Sequence, residues 1–302
     1  MNGVSAGAIH DLIDPAAIST LDDLELIARG VVEGFVHGLH TSPYVGFSIE
    51  FASHREYMPG DDLRYLNWKL FGRHDKLYVK QFDAETNLEM HVVLDVSGSM
   101  TAGEDKLTKL RYASMLAVSL AHLATKQRDA VGLTLFADRV IEHLKPRANP
   151  DQLMTILHTI ARVQEHRPAD SSRVLHEVAE LMPRRGLVVV ISDFYFEVEE
   201  LLAGLSHIRH FGHDLLLFHV LEPLERNLEV TGSIRFRDLE TREEIIVPAH
   251  EIGTGYRSAV SEWIHDVHHG CLSREIDHFV LLTNTPLQQA LLDYFTKRSQ
   301  MY

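Results

Sequence analysis

Residues 92–100, Val92-Val93-Leu94-Asp95-Val96-Ser97-Gly98-Ser99-Met100, decide the fold. An almost unbroken apolar run ends at the carboxylate of Asp95, which opens a short turn carrying two hydroxyls, Ser97 and Ser99, at alternate positions. A strand that is apolar without alternation is covered on both faces, as in a parallel sheet flanked by helices. In such sheets the residues that do chemistry sit at the carboxyl ends of strands. The run therefore reads as a central buried strand that delivers Asp95, Ser97 and Ser99 to a rim. One carboxylate and two hydroxyls are hard oxygen donors, suited to Mg²⁺ or Mn²⁺ and poorly suited to Zn²⁺ or copper. The competing reading is a strand end whose Asp and Ser cap the next helix and bind nothing.

Working outward towards the carboxyl terminus, the pattern alternates as a wound α/β sheet does. A helix is expected at 107–126, with Leu110, Ala113, Leu116, Ala117 and Leu120 as its apolar stripe. Residues 130–136 read as a strand and 139–144 as its antiparallel return. Helices follow at 150–163 and 174–182. Residues 187–192 form another largely apolar strand, which also ends on a carboxylate, Asp193. Further strands are expected at 215–220 and 278–282, with helices at 198–211, 256–271 and 287–298. Right-handed crossovers place the carboxyl ends of such strands on one edge, so Asp95 and Asp193 meet at the same rim. Residues 231–247, within an insertion near 229–249, alternate, turn at Asp238-Leu239-Glu240-Thr241 and alternate again, as a β-hairpin does.

Towards the amino terminus, Thr20 and Asp23 resemble a capping box, and Leu24, Ile27, Ala28, Val31 and Phe35 recur on one helical face. This predicts an amphipathic helix that docks on the core. Phe47, Ile49 and Phe51 alternate with polar residues as a half-buried strand, and a second extended stretch covers 77–82. The expected organisation is an amino-terminal helix and β segment over 1–87 and an α/β domain over 88–302. The inserted hairpin joins the amino-terminal strands in a small β platform.

Composition narrows the function. The chain has 302 residues, with 29 basic against 43 acidic and a net charge of −14, which opposes binding to nucleic acid or an anionic membrane. No apolar stretch approaches the ~20 residues that span a bilayer, and no signal peptide is evident. With one cysteine, Cys271, there is no internal disulfide, so a reducing, cytoplasmic location and a buried Cys271 are expected. Twenty histidines invite a metal reading that their spacing does not support. His207, His210 and His213 recur every third residue, so the first and last diverge by ~120° on a helix. They suit a helix carboxyl terminus, where positive charge is favoured.

The D-x-S-x-S of Asp95, Ser97 and Ser99 resembles the metal-ion-dependent adhesion site of von Willebrand factor A domains. Such sites also take a threonine from a loop between the two carboxylate-bearing strands. Here that loop reads Pro168-Ala169-Asp170-Ser171-Ser172-Arg173. Ser172 fits best by its spacing to Val174 and Val178, with Ser171 the alternative. A serine hydroxyl replaces a threonine hydroxyl as a donor. The resemblance thus implies a metal set of Asp95, Ser97, Ser99, Ser172 and Asp193. A second resemblance is more specific. Phe51, Arg55, Tyr57-x-Pro59-Gly60-Asp61-Asp62-x-Arg64, Trp68, Arg73, Lys76-Leu77, Lys80 and Glu85, followed by D-x-S-x-S, are similar to the family catalogued as domain of unknown function 58. It implies a von Willebrand A-like fold and, because members are often encoded beside MoxR-type AAA+ ATPases, a partner rather than a reaction. Asn67 departs from the family's aspartate before the tryptophan, and the two membrane helices that many members carry upstream are not in this sequence. The charged residues of 57–85 read as a structural network rather than a ligand site, Asp61 or Asp62 capping a short helix while its neighbour pairs with Arg64, and Arg73 and Lys80 pairing with Glu85 or Asp83.

The expected function is a non-enzymatic interaction module whose rim Mg²⁺ or Mn²⁺ accepts an Asp or Glu carboxylate from a protein partner, by resemblance a MoxR-type AAA+ ATPase. The rival is a metal-dependent hydrolase of phosphate esters or anhydrides. Against it, the sequence has no G-x-x-x-x-G-K-[ST] loop, no G-x-S-x-G elbow and no evident general base beside the motif. A dinucleotide-binding sheet fails for want of G-x-G-x-x-G after the first strand.

Overall fold

The computed structural model describes residues 24, 28–32, 54–56, 78–80, 89–104, 107–163, 173–228, 232–237 and 244–292. The expected strand at 47–51, the Tyr57 to Trp68 signature with its charge network, and Ser171 and Ser172 lie outside those residues. In chain order the strands are β1 (His54–Glu56), β2 (Tyr78–Lys80), β3 (Glu89–Asp95), β4 (Gly103–Glu104), β5 (Leu107–Thr108) and β6 (Ala130–Phe136). They continue with β7 (Val140–Arg147), β8 (Gly186–Ser192), β9 (Asp214–Leu221), β10 (Ser233–Arg237), β11 (Glu244–Pro248) and β12 (Asp277–Leu282). The helices are α1 (Lys109–Lys126), α2 (Pro150–Ala161), α3 (Arg173–Glu180), α4 (Val198–His210), α5 (Pro223–Asn227) and α6 (Ala249–Leu272).

Six strands form one sheet in the order β12-β9-β8-β3-β6-β7, parallel throughout except for the edge strand β7, which returns antiparallel to β6. The chain leaves β3 for β6 on one side and then crosses back to β8 on the other. The strand order therefore reverses between β3 and β8, the place where open α/β sheets form a crevice at their carboxyl edge. This is the α/β, von Willebrand A-like architecture, a mostly parallel sheet flanked by helices. β1 pairs antiparallel with β2, and β10 with β11, and among the described residues each pair is its own two-stranded ladder.

The unbroken apolar runs are explained by two cores, one on each face. Val92 and Leu94 of β3, Val189 and Ile191 of β8, and Leu216 and Phe218 of β9 pack with α1 and α2. The alternate residues Val93, Val188, Val190, Leu215 and Leu217 pack with α3, α4 and the end of α6. Successive side chains point to opposite faces, so a strand covered on both sides must be apolar at every position. The amino-terminal helix behaves as expected over its described residues: Ala28, Val31 and Val32 are buried in the first core and Leu24 packs against it. Cys271 is buried and free, its thiol pushed up to about 12 by burial.

Differences from the sequence expectations have local causes. Helix α6 begins at Ala249, seven residues before the expected start, because β11 runs directly into it through Pro248, whose φ of −65° suits a helix entry. Gly253 and Gly255 lower the local helix propensity, and the tertiary setting overrides them. His207 and His210 lie in the last turn of α4 as expected, but His213 lies beyond it, fully buried and bonded through Nε2 to the Met182 carbonyl.

The β3–β8 junction leaves no room for a side chain at Gly186, where a Cβ would run into the Glu89 carbonyl oxygen. Gly186→Ala should therefore cost about 1–3 kcal/mol of stability by forcing the two strands apart. Urea unfolding of wild type and variant checks this, and an unchanged midpoint would refute it.

Buried histidines make stability depend on pH. Burial, then the neighbouring His213 and His143, hold His91 down to about 4, and burial, then His268, hold His278 down to about 4. His219 is held well below the usual histidine range, by burial and then by His278, whose Nε2 is 3.2 Å from His219 Nδ1. The unfolded chain takes up these protons near pH 6.5, before the folded chain does. Their contribution is complete above about 6.5 and is lost as pH falls towards 4, by up to about 3 kcal/mol for each of His91 and His278. Melting temperature should fall steadily between pH 6.5 and 4, and His91→Gln should flatten part of that slope.

Candidate functional site

Strand β3 brings Asp95 to the carboxyl edge, and Val96 extends the ladder by one further bond from its N–H to the Phe136 carbonyl at 2.8 Å. The chain then turns. The Ser97 N–H donates to Asp95 Oδ1 at 2.8 Å, which closes a tight turn around the carboxylate. Ser97 occupies the N-cap position of a single 3₁₀ turn, Gly98–Thr101, yet its side chain makes no capping bond. Its hydroxyl instead lies 3.1 Å from that of Ser99. Helix α1 is capped separately, by Thr108, whose Oγ1 accepts from the Arg111 N–H at 3.2 Å. The cap reading therefore fails for the serines, which point at one another. Among Asp95, Ser97, Ser99 and Asp193, only Ser99 is more than marginally exposed.

Strand β8 supplies the other half. Ser192 ends it, and its hydroxyl donates to Asp95 Oδ2 at 2.6 Å and accepts from the Phe194 N–H at 2.9 Å. Asp193 follows, buried at 1% exposure, and Phe194 holds a positive φ of 50° while its ring is locked in the second core. Left-handed backbone at a bulky residue costs about 1–2 kcal/mol and survives only where the surroundings enforce it. Asp95 and Asp193 act on each other electrically. Burial, and then the charge of Asp193, push the Asp95 carboxyl up to about 7 against the lowering effect of its bonds from Ser192 and Ser97. Thus Asp95, Ser97, Ser99 and Asp193 are gathered at one rim, and Ser172 lies outside the described residues.

Sequence reasoning missed four members. Ser192 sits one residue before the carboxylate that drew attention, and only the register shows that it serves Asp95. Lys109, at the start of α1, is buried with no exposed side-chain surface, its ammonium 2.8 Å from Asp193 Oδ2 and 2.6 Å from Glu225 Oε1. Burial alone would lower its pKa, and the two carboxylates more than offset this and raise it. Glu225 belongs to α5, an unexpected five-residue helix after β9 with Pro223 in its first turn. A reciprocal cap fixes it, the Glu222 N–H donating to Glu225 Oε2 at 2.9 Å. The Glu222-Pro223-x-Glu225 pattern was the available signal. Tyr195 covers the Lys109 ammonium, 4.7 Å from ring centroid to Nζ, and stacks on Trp263 of α6 at 5.3 Å.

The donor chemistry suits a hard cation. Two adjoining hydroxyls and two buried carboxylates that raise each other's cost are what a divalent ion would stabilise. Among the described residues no group of three or more His, Cys, Asp or Glu is placed to hold a metal. No helix among the described residues is long and apolar enough to cross a membrane.

The chain is 28% identical over 248 residues to the uncharacterised proteins Mb1516 of Mycobacterium bovis and Rv1480 of Mycobacterium tuberculosis, covering 79% of this chain and 77% of each relative. Among solved structures it is similar to BatB from Bacteroides thetaiotaomicron, with a TM-score of 0.46, 17% identity and coverage of 70% of this chain and 99% of that one. It is also similar to the SpRpn10 VWA domain, with a TM-score of 0.41, 12% identity and coverage of 68% and 94%. The family described as protein of unknown function DUF58 matches residues 53–262, a span that takes in the Tyr57 to Glu85 signature, the Asp95 loop, Lys109, Asp193 and Glu225, and the chain belongs to it.

Proposed function

We propose that the protein is a non-enzymatic interaction module whose rim holds Mg²⁺ or Mn²⁺ through Asp95, Ser97, Ser99 and Asp193, with Ser172 or its neighbour Ser171 as the loop donor. The observation that carries this reading is the orientation of Ser97 and Ser99. Their hydroxyls meet at 3.1 Å and leave the capping role unused, beside two buried carboxylates. Once bound, the ion would offer an open coordination position to an anionic oxygen. Asp95 keeps the loop closed through the Ser97 N–H, and Ser192 fixes its other oxygen, so the turn that carries the serines is held in place. An Asp or Glu carboxylate of a protein partner suits such a position. The family resemblance makes a MoxR-type AAA+ ATPase the partner proposed, in the assembly or maturation of other proteins.

Calorimetric titration with MnCl₂ should show one site that is lost in Ser97→Ala and in Asp95→Ala. Binding that survives both substitutions would reject the assignment. Affinity for the ATPase should drop at least tenfold, about 1.4 kcal/mol, in chelator and in Asp193→Ala alike. Equal affinity in Mg²⁺, in chelator and in the variant would remove the metal from the interface.

The electrostatic strain at Asp95 gives a separate expectation. Asp95→Asn keeps an oxygen for the Ser97 N–H and removes the repulsion from Asp193. In chelator it should melt at or above the wild-type temperature, by roughly 2–4 °C if 1 kcal/mol is recovered, while losing Mn²⁺ binding. A melting temperature well below wild type would mean that the carboxylate serves the fold.

A further inference from the structure

Lys109 introduces a positive charge into a rim whose carboxylates are otherwise suited to a divalent ion. Its ammonium is shared between Asp193 at 2.8 Å and Glu225 at 2.6 Å and is sealed from solvent under the ring of Tyr195. Its position is built by the backbone. The Lys109 N–H donates to the Ala102 carbonyl at 2.9 Å, and β4 and β5 fold the loop back through Gly103, at φ 155°. A Cβ at Gly103 would run into the backbone of Leu107 and Thr108. The same loop that presents Ser97 and Ser99 thus returns to aim Lys109 at Asp193.

We propose that Lys109 is a tethered competitor for the divalent ion: it shares Asp193 with the metal and thereby sets the rim's affinity, while Glu225 is the second carboxylate to which its ammonium shifts when the metal takes Asp193. The inference rests on the metal reading of the rim and adds its regulation. Competition follows from charge, since a divalent ion must draw Asp193 from a cation already in contact in water-poor surroundings, where such attraction is strong. Glu225 lowers that cost because its other oxygen is fixed by the Glu222 N–H, so the ammonium keeps one full partner.

Two substitutions should therefore act in opposite directions. Lys109→Met removes the competing charge and should tighten Mn²⁺ binding about tenfold. Glu225→Gln leaves the ammonium with Asp193 as its only carboxylate and should weaken Mn²⁺ binding about tenfold. A merely structural role would have both loosen the loop and weaken the metal. The experiment is Mn²⁺ titration of the full chain, read by the electron paramagnetic resonance of the free ion and by calorimetry, with circular dichroism in chelator to establish folding. Because Lys109→Met leaves two carboxylates unpaired, the double variant Lys109→Met/Glu225→Gln is measured beside it. It should also bind more tightly than wild type. Opposite shifts support the inference. A wild type that binds Mn²⁺ with unchanged or weakened binding in the Lys109 variants, or unchanged or tighter binding in Glu225→Gln, overturns it alone. No Mn²⁺ binding by the wild type overturns the metal reading, and this inference with it.

Discussion

Two carboxylates, Asp95 and Asp193, are buried beside each other at the ends of adjacent parallel strands, and the rest of the rim answers to their repulsion. Neither exposes more than 1% of its surface. A buried charge costs several kcal/mol unless it is paired, and a like charge nearby raises the cost further. Asp95 meets it with two hydrogen bonds, from the Ser97 N–H and the Ser192 hydroxyl, and with a pKa pushed up to about 7. Asp193 meets it with Lys109, which in turn requires Glu225. The chain of obligations ends at the cap of α5, where the Glu222 N–H fixes the last carboxylate.

The fold makes that juxtaposition rigid. The β3 ladder pairs Leu94 with Ile191 of β8 and Asp95 with Phe136 of β6, so the height of Asp95 at the edge is set by register on both sides. A slip of two residues along β8 would separate Asp95 from Ser192 by about 7 Å, given 3.3 Å per residue. Slips of one residue are forbidden more strongly, because they would exchange the residues facing the two cores. The rim inherits its precision from Val92, Val93 and Leu94, each at most 1% exposed, and burying each such side chain contributes about 1.5–3 kcal/mol.

How much of this was legible depended on whether a feature was periodic or relational. The strands at 130–136 and 187–192 were readable to within a residue because largely apolar runs of this length have few other interpretations. The meeting of Asp95 and Asp193 followed from the handedness of crossovers alone. Lys109 was not legible: a lysine at the start of an amphipathic helix reads as solvated, and nothing local announces that a carboxylate 84 residues on will bury it. Ser192 was hidden for the same reason, since its partner is set by strand register. The start of α6 was misread because Gly253 and Gly255 lower helix propensity locally, whereas the hairpin that leads into it is a tertiary constraint.

The arrangement argues for a site over a stabilising network on energetic grounds. A strand end selected only for stability would gain from replacing one aspartate by asparagine, which accepts the same N–H bond without a like-charge neighbour. The chain keeps that cost at the crevice its strand order creates, and turns two serine hydroxyls towards each other instead of towards the helix they precede. Left-handed backbone at Phe194, two buried carboxylates and a pair of facing serine hydroxyls thus gather at a topological switch point, where open α/β sheets place their binding sites.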